Sequence, residues 1–248
     1  HLEEGSGLTA SDTSGSGNSG TLTIGPVWTT SGRFGNAISF DGTNDYVTMG
    51  TPSTLQFTTP SATPFSVAAW IKRGDLNREQ NIIGSGGANS SWIFYIKSTN
   101  KLAFGRTGVS EIVDTGASIS DTSTWHHVAV TYNGSTANFY LDGLLNSSLS
   151  YSATFSSTEK MIGGHFSTYY WYVIIDEIRI YNRTLAVEEI KSHYIAKAKL
   201  NYGDARFTNS SGTELPYWFE KDGTFWVKAT GSNSIPVGLS SIYMYYGK

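Results

Sequence analysis

Residues 38–181 alternate short apolar runs with clusters of Gly, Ser, Asn and Asp. Residues 65–72 and 92–97 are clear examples of such runs. A two-residue period places successive side chains on opposite faces of a strand, and the turn-forming residues between the runs reverse the chain. The pattern therefore predicts an all-β fold, a two-sheet antiparallel sandwich of many short strands.

The clearest predicted hairpin joins residues 127–132 to residues 136–141. Asn133 and Gly134 lie between the two runs, and both residue types tolerate the positive φ angles of a tight turn. Asp142 and Gly143 mark the next reversal. These signals predict three consecutive antiparallel strands.

One helix is predicted after the last strand of the sandwich. Thr184 can cap it, acidic residues follow near its positive end, and Ala186, Ile190 and Tyr194 recur at a spacing of four residues. The helix should end near Lys197. A strand pattern then restarts, so we predict a large domain over residues 1–197 and a small β appendage over residues 198–248.

Composition excludes several classes of function. The formal net charge is -3 and the chain lacks a Lys- or Arg-rich run, so nucleic acid is not an expected partner. No apolar run approaches the length that a transmembrane helix needs. The absence of Cys excludes disulfides and thiol chemistry.

Six blocks stand out in order along residues 1 to about 197 of the sequence. They are residues 1–7, 12–18, 32–42, 65–72 (FSVAAWIK), 125–132 (WHHVAVTY) and 175–185 (IDEIRIYNRTL). In content and order these blocks resemble the laminin-G-like modules, which have the concanavalin A-like jelly-roll fold. The resemblance implies two antiparallel sheets, one of them concave.

The C-terminal residues resemble the second half of a domain of unknown function that accompanies laminin-G-like modules in archaeal and bacterial surface proteins. The opening strands of that domain are missing from this sequence. A half-sandwich leaves an unpaired strand edge and an uncovered apolar face. The matching residues are 205–208, 215–220, 226–228 and 242–247.

Calcium is the first candidate ligand, because related modules often hold a structural calcium where the first loops meet the last strand. Side chains with hard oxygen atoms occur on the corresponding segments. The alternative is that these residues only stabilise turns through bonds to the backbone. The candidate ligands are Asp12, Asn18, Asp41 and Asp176.

Sugar is the second candidate ligand. Aromatic side chains on a concave sheet can stack on a glycan, and His or Arg can donate hydrogen bonds to it; the run 166–172 is the most suggestive segment. The alternative is that the aromatic residues pack in the core. The predicted set is Trp92, Tyr95, Arg106, His127, Tyr169, Tyr170 and Trp171.

Catalysis is not expected, because no motif of paired carboxylates or of nucleophile and base is present. The sequence instead predicts a non-catalytic, secreted or cell-surface protein. In the first hypothesis it joins copies of itself or other surface domains into an adhesive or filamentous assembly, through strand pairing near Trp218, Trp226, Tyr243 and Tyr245. In the second it is a calcium-dependent carbohydrate-binding module.

Overall fold

The computed structural model describes residues 2–57, 63–85, 92–106, 110–156, 159–164 and 170–195, together with five short segments of the C-terminal part. The chain forms two compact units, His1–Tyr194 and Ile195–Lys248. The strands of the first unit are β1 Thr9–Ala10, β2 Gly20–Thr23, β3 Val27–Thr29, β4 Ala37–Asp41, β5 Tyr46–Gly50, β6 Phe65–Arg73, β7 Gln80–Ser85, β8 Trp92–Ile96, β9 Lys101–Arg106, β10 Ser110–Ser118, β11 His126–Tyr132, β12 Thr136–Leu141, β13 Leu144–Ser150, β14 Lys160–Ile162 and β15 Tyr172–Tyr181.

The described strands of the first unit form two antiparallel sheets. One has the order β1-β2-β5-β14-β7-β8-β9-β10, and the other has the order β13-β12-β11-β6-β15-β4-β3. Neighbours such as β5 and β14, or β6 and β15, are distant in sequence, which is how a jelly roll connects its strands. The predicted two-sheet antiparallel sandwich is confirmed.

The predicted hairpin between β11 and β12 is present, with Tyr132 opposite Ala137. Of the two turn residues, Asn133 and Gly134, only Gly134 has a positive φ, of 100°. Asn133 acts instead through its side chain, whose Oδ1 accepts hydrogen bonds from the backbone N–H groups of Ser135 and Thr136 at 3.0 and 2.8 Å. Asn133 therefore stabilises the turn as a side-chain acceptor, and not by adopting a positive φ.

An aromatic cluster fills the space between the sheets. Phe65 stacks on Phe57 with ring centroids 4.4 Å apart and lies 5.1 Å from Trp92. Phe104 and Tyr132 meet at 5.3 Å. Because aromatic pairs add about 0.5–1.5 kcal/mol each beyond the area that they bury, this cluster fixes how the two sheets face one another.

One α-helix occurs among the described residues, α1 Val187–Ile195, and it lies on the outer face of the seven-stranded sheet. Ile190 is fully buried there with Ala68 and Tyr140. Its start is stabilised by Glu189, whose Oε2 accepts the backbone N–H of Ala186 at 2.9 Å. The predicted end at Lys197 lies outside the described residues.

The second unit contributes short strands. They are β16 Arg206–Thr208, β17 Glu214–Leu215, β18 Tyr217–Phe219, β19 Phe225–Val227 and β20 Tyr243–Tyr245. Three of them pair in the order β17-β16-β20, and β18 pairs with β19 as a separate two-stranded sheet. Among the residues described in either unit, no helix is both long and apolar enough to cross a membrane.

Candidate functional site

The two predicted glycan-binding tryptophans lie in the core. Trp92 is 1% exposed and Trp171 is fully buried, and both belong to the cluster between the sheets. Along β8 the inward residues are Trp92, Phe94 and Ile96, so the strand's alternation turns the tryptophan away from any outer surface. Neither ring is therefore available to a sugar.

The rest of the predicted glycan set does not form one surface either. Tyr95 is buried with Ile93 and Ala103 on the other side of the eight-stranded sheet, and Arg106 is half-buried at the end of β9. His127 belongs to the seven-stranded sheet and packs against Trp70. Tyr170 is half-buried, and Tyr169 lies outside the described residues.

The four predicted calcium ligands do not form one set of hydrogen bonds: Asp12 and Asn18 share a loop, whereas Asp41 and Asp176 bond to other residues. Asp12 accepts the backbone N–H groups of Ser14 and Asn18, both at 2.8 Å, and so closes its own loop. Asp41 closes its own loop too, because its Oδ1 accepts the backbone N–H of Thr43 at 2.7 Å. Within the described ranges, no group of three or more acidic or histidine side chains is arranged to hold a metal ion. Calcium binding therefore stays a prediction.

Asp176 is completely buried. Its Oδ2 accepts the N–H of Phe34 at 2.8 Å, and its Oδ1 accepts the N–H of Glu177 at 2.7 Å. Burial raises the pKa of this carboxyl to about 6, against the effect of the two N–H donors. Asp176 thus fastens residues 33–34 to β15, as a turn-stabilising side chain does.

An exposed aromatic ring lies at the first residue of β15. Tyr172 is 49% exposed, whereas the preceding Trp171 is in the core, because neighbours on a strand face opposite sides. The Tyr172 ring lies directly over Gly74, where a Cβ atom would overlap it. The backbone N–H of Gly74 also donates to the carbonyl of Tyr172 at 2.8 Å. The ring thus packs against a glycine and keeps much of its surface open to solvent.

Two charged side chains belong to segments that contact Tyr172. Arg78 donates to the carbonyl of Gly42 at 3.3 Å, and a Cβ at Gly42 would lie 3.0 Å from the Cβ of Tyr172. The same guanidinium pairs with Asp75 at 3.0 Å, and its side chain is 50% exposed. We call Tyr172, Arg78 and Asp75, with Gly42 and Gly74, the Tyr172 platform.

The Tyr172 platform combines an apolar ring face with planar hydrogen-bonding groups. A flat ring can stack on an apolar ligand face, while guanidinium and carboxylate groups bond to neighbouring hydroxyls. The run 166–172 was the most suggestive segment of the sequence, but the residues predicted from it were Tyr169, Tyr170 and Trp171, and Tyr172 was missed. Arg78 and Asp75 carry no such signal, because only the fold brings the turn after β6 next to the start of β15.

The four residues predicted for assembly all lie on strands of the second unit. Trp218 on β18 is directly opposite Trp226 on β19. Tyr243 and Tyr245 lie on β20, opposite Thr208 and Arg206. The backbone thus places two of these residues on the hairpin and two on an edge strand of the three-stranded sheet.

Comparison with known families agrees with this architecture. Residues 41–191, more than half of the chain, match the concanavalin A-like lectin/glucanases superfamily. The chain belongs to that superfamily. Residues 201–248 match a domain of unknown function, DUF2341. Both resemblances predicted from the sequence are confirmed, whereas the curated proteins contain no match to this concanavalin A-like chain.

Several solved structures share the fold at low sequence identity. The binding domain of Paraclostridial Mosquitocidal Protein 1 has a TM-score of 0.61 and 17% identity over 87% of this chain and 60% of that one. Domain 4 of AbnA, a GH43 extracellular arabinanase from Geobacillus stearothermophilus, was solved with arabinotriose; it has a TM-score of 0.57 and 19% identity over 70% of this chain and 86% of that one.

The botulinum neurotoxin serotype G binding domain is similar too. Its TM-score is 0.60, at 18% identity over 94% of this chain and 69% of the toxin domain. The concanavalin A-like chain spans well under two thirds of the mosquitocidal protein's domain. At such identities the likeness shows the fold alone, and function has to be argued from the site.

Proposed function

We propose that this chain is a non-catalytic binding module that works outside the cell and holds a carbohydrate on the Tyr172 platform. The observation that carries the proposal is the exposed Tyr172 ring, packed against Gly74, with the paired side chains of Arg78 and Asp75 on the segments that contact Tyr172. Sugar rings present an apolar face edged by hydroxyls, which is the chemistry that such a surface complements.

The setting of the platform favours binding over hydrolysis. A glycosidase needs two carboxyl groups across one cleft, whereas the Asp75 carboxylate already pairs with Arg78 and accepts a hydrogen bond from Gln80. The ring is open to solvent instead of enclosed. A binding role also agrees with the similar AbnA domain, which was solved with arabinotriose.

A glycan array probed with the labelled full chain tests the proposal, and arabinotriose is the first ligand to titrate by calorimetry. Tyr172→Ala should weaken binding at least about tenfold, and Tyr172→Phe should keep most of it, since stacking needs only the ring. Tyr194→Ala, at another partly exposed tyrosine, is the matched control. Silence across the array, or equal affinity of Tyr172→Ala and the unmodified chain, would contradict the proposal.

A second candidate function is assembly through the second unit, with copies of this chain or other surface domains as partners. It is favoured by the size of the described sheets there, whose strands have two or three residues each, and in which β17 and β20 each pair with one described strand. Such short sheets are marginal alone, and an added strand would satisfy their edge backbone groups.

Light scattering after size exclusion tests the assembly hypothesis, at chain concentrations from about 1 to about 100 µM. Self-association should rise with concentration. Replacing Tyr243 and Tyr245 together by Lys should reduce it, because charges on an edge strand oppose pairing, while Tyr194→Lys should not. A chain that stays monomeric over the whole range would rule out self-assembly.

A further inference from the structure

Helix α1 packs on the seven-stranded sheet through aromatic rings as well as through Ile190. Tyr194 stacks on Trp70 of β6, with ring centroids 5.5 Å apart and ring planes 20° apart. His193 stacks on Tyr181 of β15 at 5.6 Å, and the Tyr181 hydroxyl lies 3.2 Å from its Nε2 atom. A helix of nine residues is marginal by itself, so these contacts keep α1 in place.

Two histidine rings lie at the contact between α1 and the sheet. His127 belongs to β11 and is 2% exposed, and its ring centroid lies 6.5 Å from that of His193, which is half-buried on α1. Trp70 and Tyr194 also lie against the His127 ring, at 5.5 and 6.3 Å. Both Nδ1 atoms are buried, and neither has a hydrogen-bond partner among the described residues. Because an unpaired charge is costly to bury, this packing favours the neutral form of both rings.

Charged groups around the two rings do not compensate for their burial. Burial is the largest effect on each histidine and lowers the pKa of both, that of His127 to about 3. Arg179 opposes protonation of both rings, and the two carboxylates beside His193 already pair with arginines. Besides Tyr181 and Tyr194, the charged groups that face the pair from the turn after β12, from β15, from the loop after it and from α1 are Asp142, Glu177, Arg179, Arg183 and Glu189.

The two neutral rings make the packing of α1 depend on pH. Once the helix leaves the sheet, both histidines are in water, where their ordinary pKa is about 6.5. The packed form therefore binds fewer protons than the released form, so packing is strongest above about pH 6.5 and weakens as the pH falls. Each histidine shifts this equilibrium by up to about tenfold per pH unit, and the two together by up to about a hundredfold.

The start of α1 has an ion pair that persists in mild acid. Arg183, in the loop after β15, donates to both carboxylate oxygens of Glu189, at 2.8 and 2.6 Å. These hydrogen bonds lower the pKa of Glu189 to about 2, so its carboxylate stays charged while the histidines become protonated. The first turn of α1 should therefore stay bonded to the loop after β15 when the last turn comes away.

We propose that α1 is a pH-sensitive switch, in which protonation of His127 and His193 detaches the last turn of the helix from the sheet. Release uncovers the Trp70 ring on which Tyr194 stacks. The first unit ends at Tyr194 and the second begins at Ile195, so release also lengthens the segment of chain that connects them. The switch is independent of carbohydrate binding.

Distances between spin labels, measured by pulsed electron paramagnetic resonance, test the switch in the full chain, which has no Cys of its own. Labels at Lys191→Cys on α1 and Ser148→Cys on β13 should give a narrow distance distribution near pH 7 and a broad one near pH 4.5. Val27→Cys with Ser148→Cys joins the two terminal strands of the same sheet, roughly 30 Å apart, and should not change. If the first pair does not change, or if both pairs broaden together, release of the helix is ruled out.

Variants show whether the two histidines drive the release. In the unmodified chain the ratio of released to packed helix should rise by more than tenfold per pH unit, because two protons drive it. His127→Phe, which keeps a ring, and His193→Gln, which keeps a hydrogen-bonding group, should each limit the rise to about tenfold and move it to lower pH. Glu188→Gln, at an exposed residue of α1, is the control and should leave the release unchanged. An unchanged pH dependence in either histidine variant would overturn the proposal, so one folded variant is enough.

Discussion

His126 Nδ1 lies 2.9 Å from Asp142 Oδ2, and its Nε2 lies 2.9 Å from Asp121 Oδ2. Carboxylates are hydrogen-bond acceptors, so both ring nitrogens donate when the imidazole is protonated. The hydrogen bond to Asp142 contributes most to raising the pKa of His126 to about 8, against the opposing effect of burial. The pair ties the turn after β12 to the loop that precedes β11.

We expect this arrangement to make stability fall in mildly alkaline solution. The folded-state pKa of His126 is above its ordinary value of 6.5, so the stabilisation is complete below about pH 6.5 and is lost as pH rises through about 8. Because solvent partly screens the charges of His126 and its two carboxylates, protonated His126 should contribute about 1–2 kcal/mol to the free energy of unfolding. Urea unfolding near pH 6 and near pH 9 measures it, and His126→Gln should remove the difference. Equal pH dependence in both proteins would contradict this assignment.

The neighbouring His127 should make the stability of the fold depend on pH in the acid range. It is 2% exposed, and its Nδ1 has no partner among the described residues. Burial, reinforced by the nearby His193, lowers the pKa of His127 to about 3. Protonation therefore favours the unfolded chain, and stability falls as pH drops below about 6.5, by up to about 1.4 kcal/mol per pH unit.

His127→Phe keeps a ring at this position and removes the titration. It should shift acid unfolding, followed by circular dichroism, to lower pH. His126→Gln should have the opposite effect, because it removes a stabilisation that is complete below about pH 6.5 and so shifts acid unfolding to higher pH. An unchanged midpoint of acid unfolding in His127→Phe would mean that another group controls this transition.

The strand pattern predicted the sandwich because periodicity and turn chemistry are local properties. Residues 136–141 form β12 as predicted, and the residues predicted for β6 and β11 differ from the observed strands by one residue at an end. Periodicity does not say which of two alternating faces is buried. Trp92 and Tyr95 therefore looked equally suited to an outer surface, whereas both are buried, on opposite sides of β8.

The candidate sites depend on contacts between distant segments. Arg78 adjoins Gly42, which is 36 residues away in sequence, and Asp142 reaches His126 across 16 residues. The bulge in β15 lies at Glu177, whose φ is 49°, and a non-glycine residue with positive φ has no distinct local sequence signal. Such features depend on tertiary packing, so a single sequence does not reveal them.

Replacing Arg73 by Lys should destabilise the fold. It is 2% exposed, and its guanidinium donates to Gln80 at 2.9 Å, to Asn100 at 3.0 Å and to the carbonyl of Ile119. A lysine ammonium cannot reproduce this fork of donors and leaves buried acceptors unsatisfied. Arg73→Lys should cost about 2–4 kcal/mol of unfolding free energy, measured by urea denaturation.

The matched control for Arg73 is Arg78→Lys, at an arginine whose side chain is 50% exposed. A surface ion pair contributes about 1 kcal/mol or less, so this variant should unfold close to the original chain. If both substitutions cost the same, the buried hydrogen bonds of Arg73 do not control stability.

The absence of a Cβ atom at Gly74 should determine how the Tyr172 ring is oriented in the Tyr172 platform. Its backbone conformation is open to other residues, but a Cβ atom there would overlap the Tyr172 ring. Gly74→Ala should therefore lift and tilt the ring, lowering affinity for the sugar identified on the array by about tenfold, with a small change in melting temperature. The variant tests the ring's orientation, whereas Tyr172→Ala tests its presence.

Gly116→Ala is the control, since a Cβ at Gly116 would meet nothing within 4 Å. Calorimetric titration of the three proteins distinguishes the outcomes. If Gly74→Ala binds the sugar as tightly as Gly116→Ala, the ring does not need its support from Gly74. A loss that also appears in Gly116→Ala would point to a general effect of the added methyl group, because that residue lies on β10 and does not line the platform.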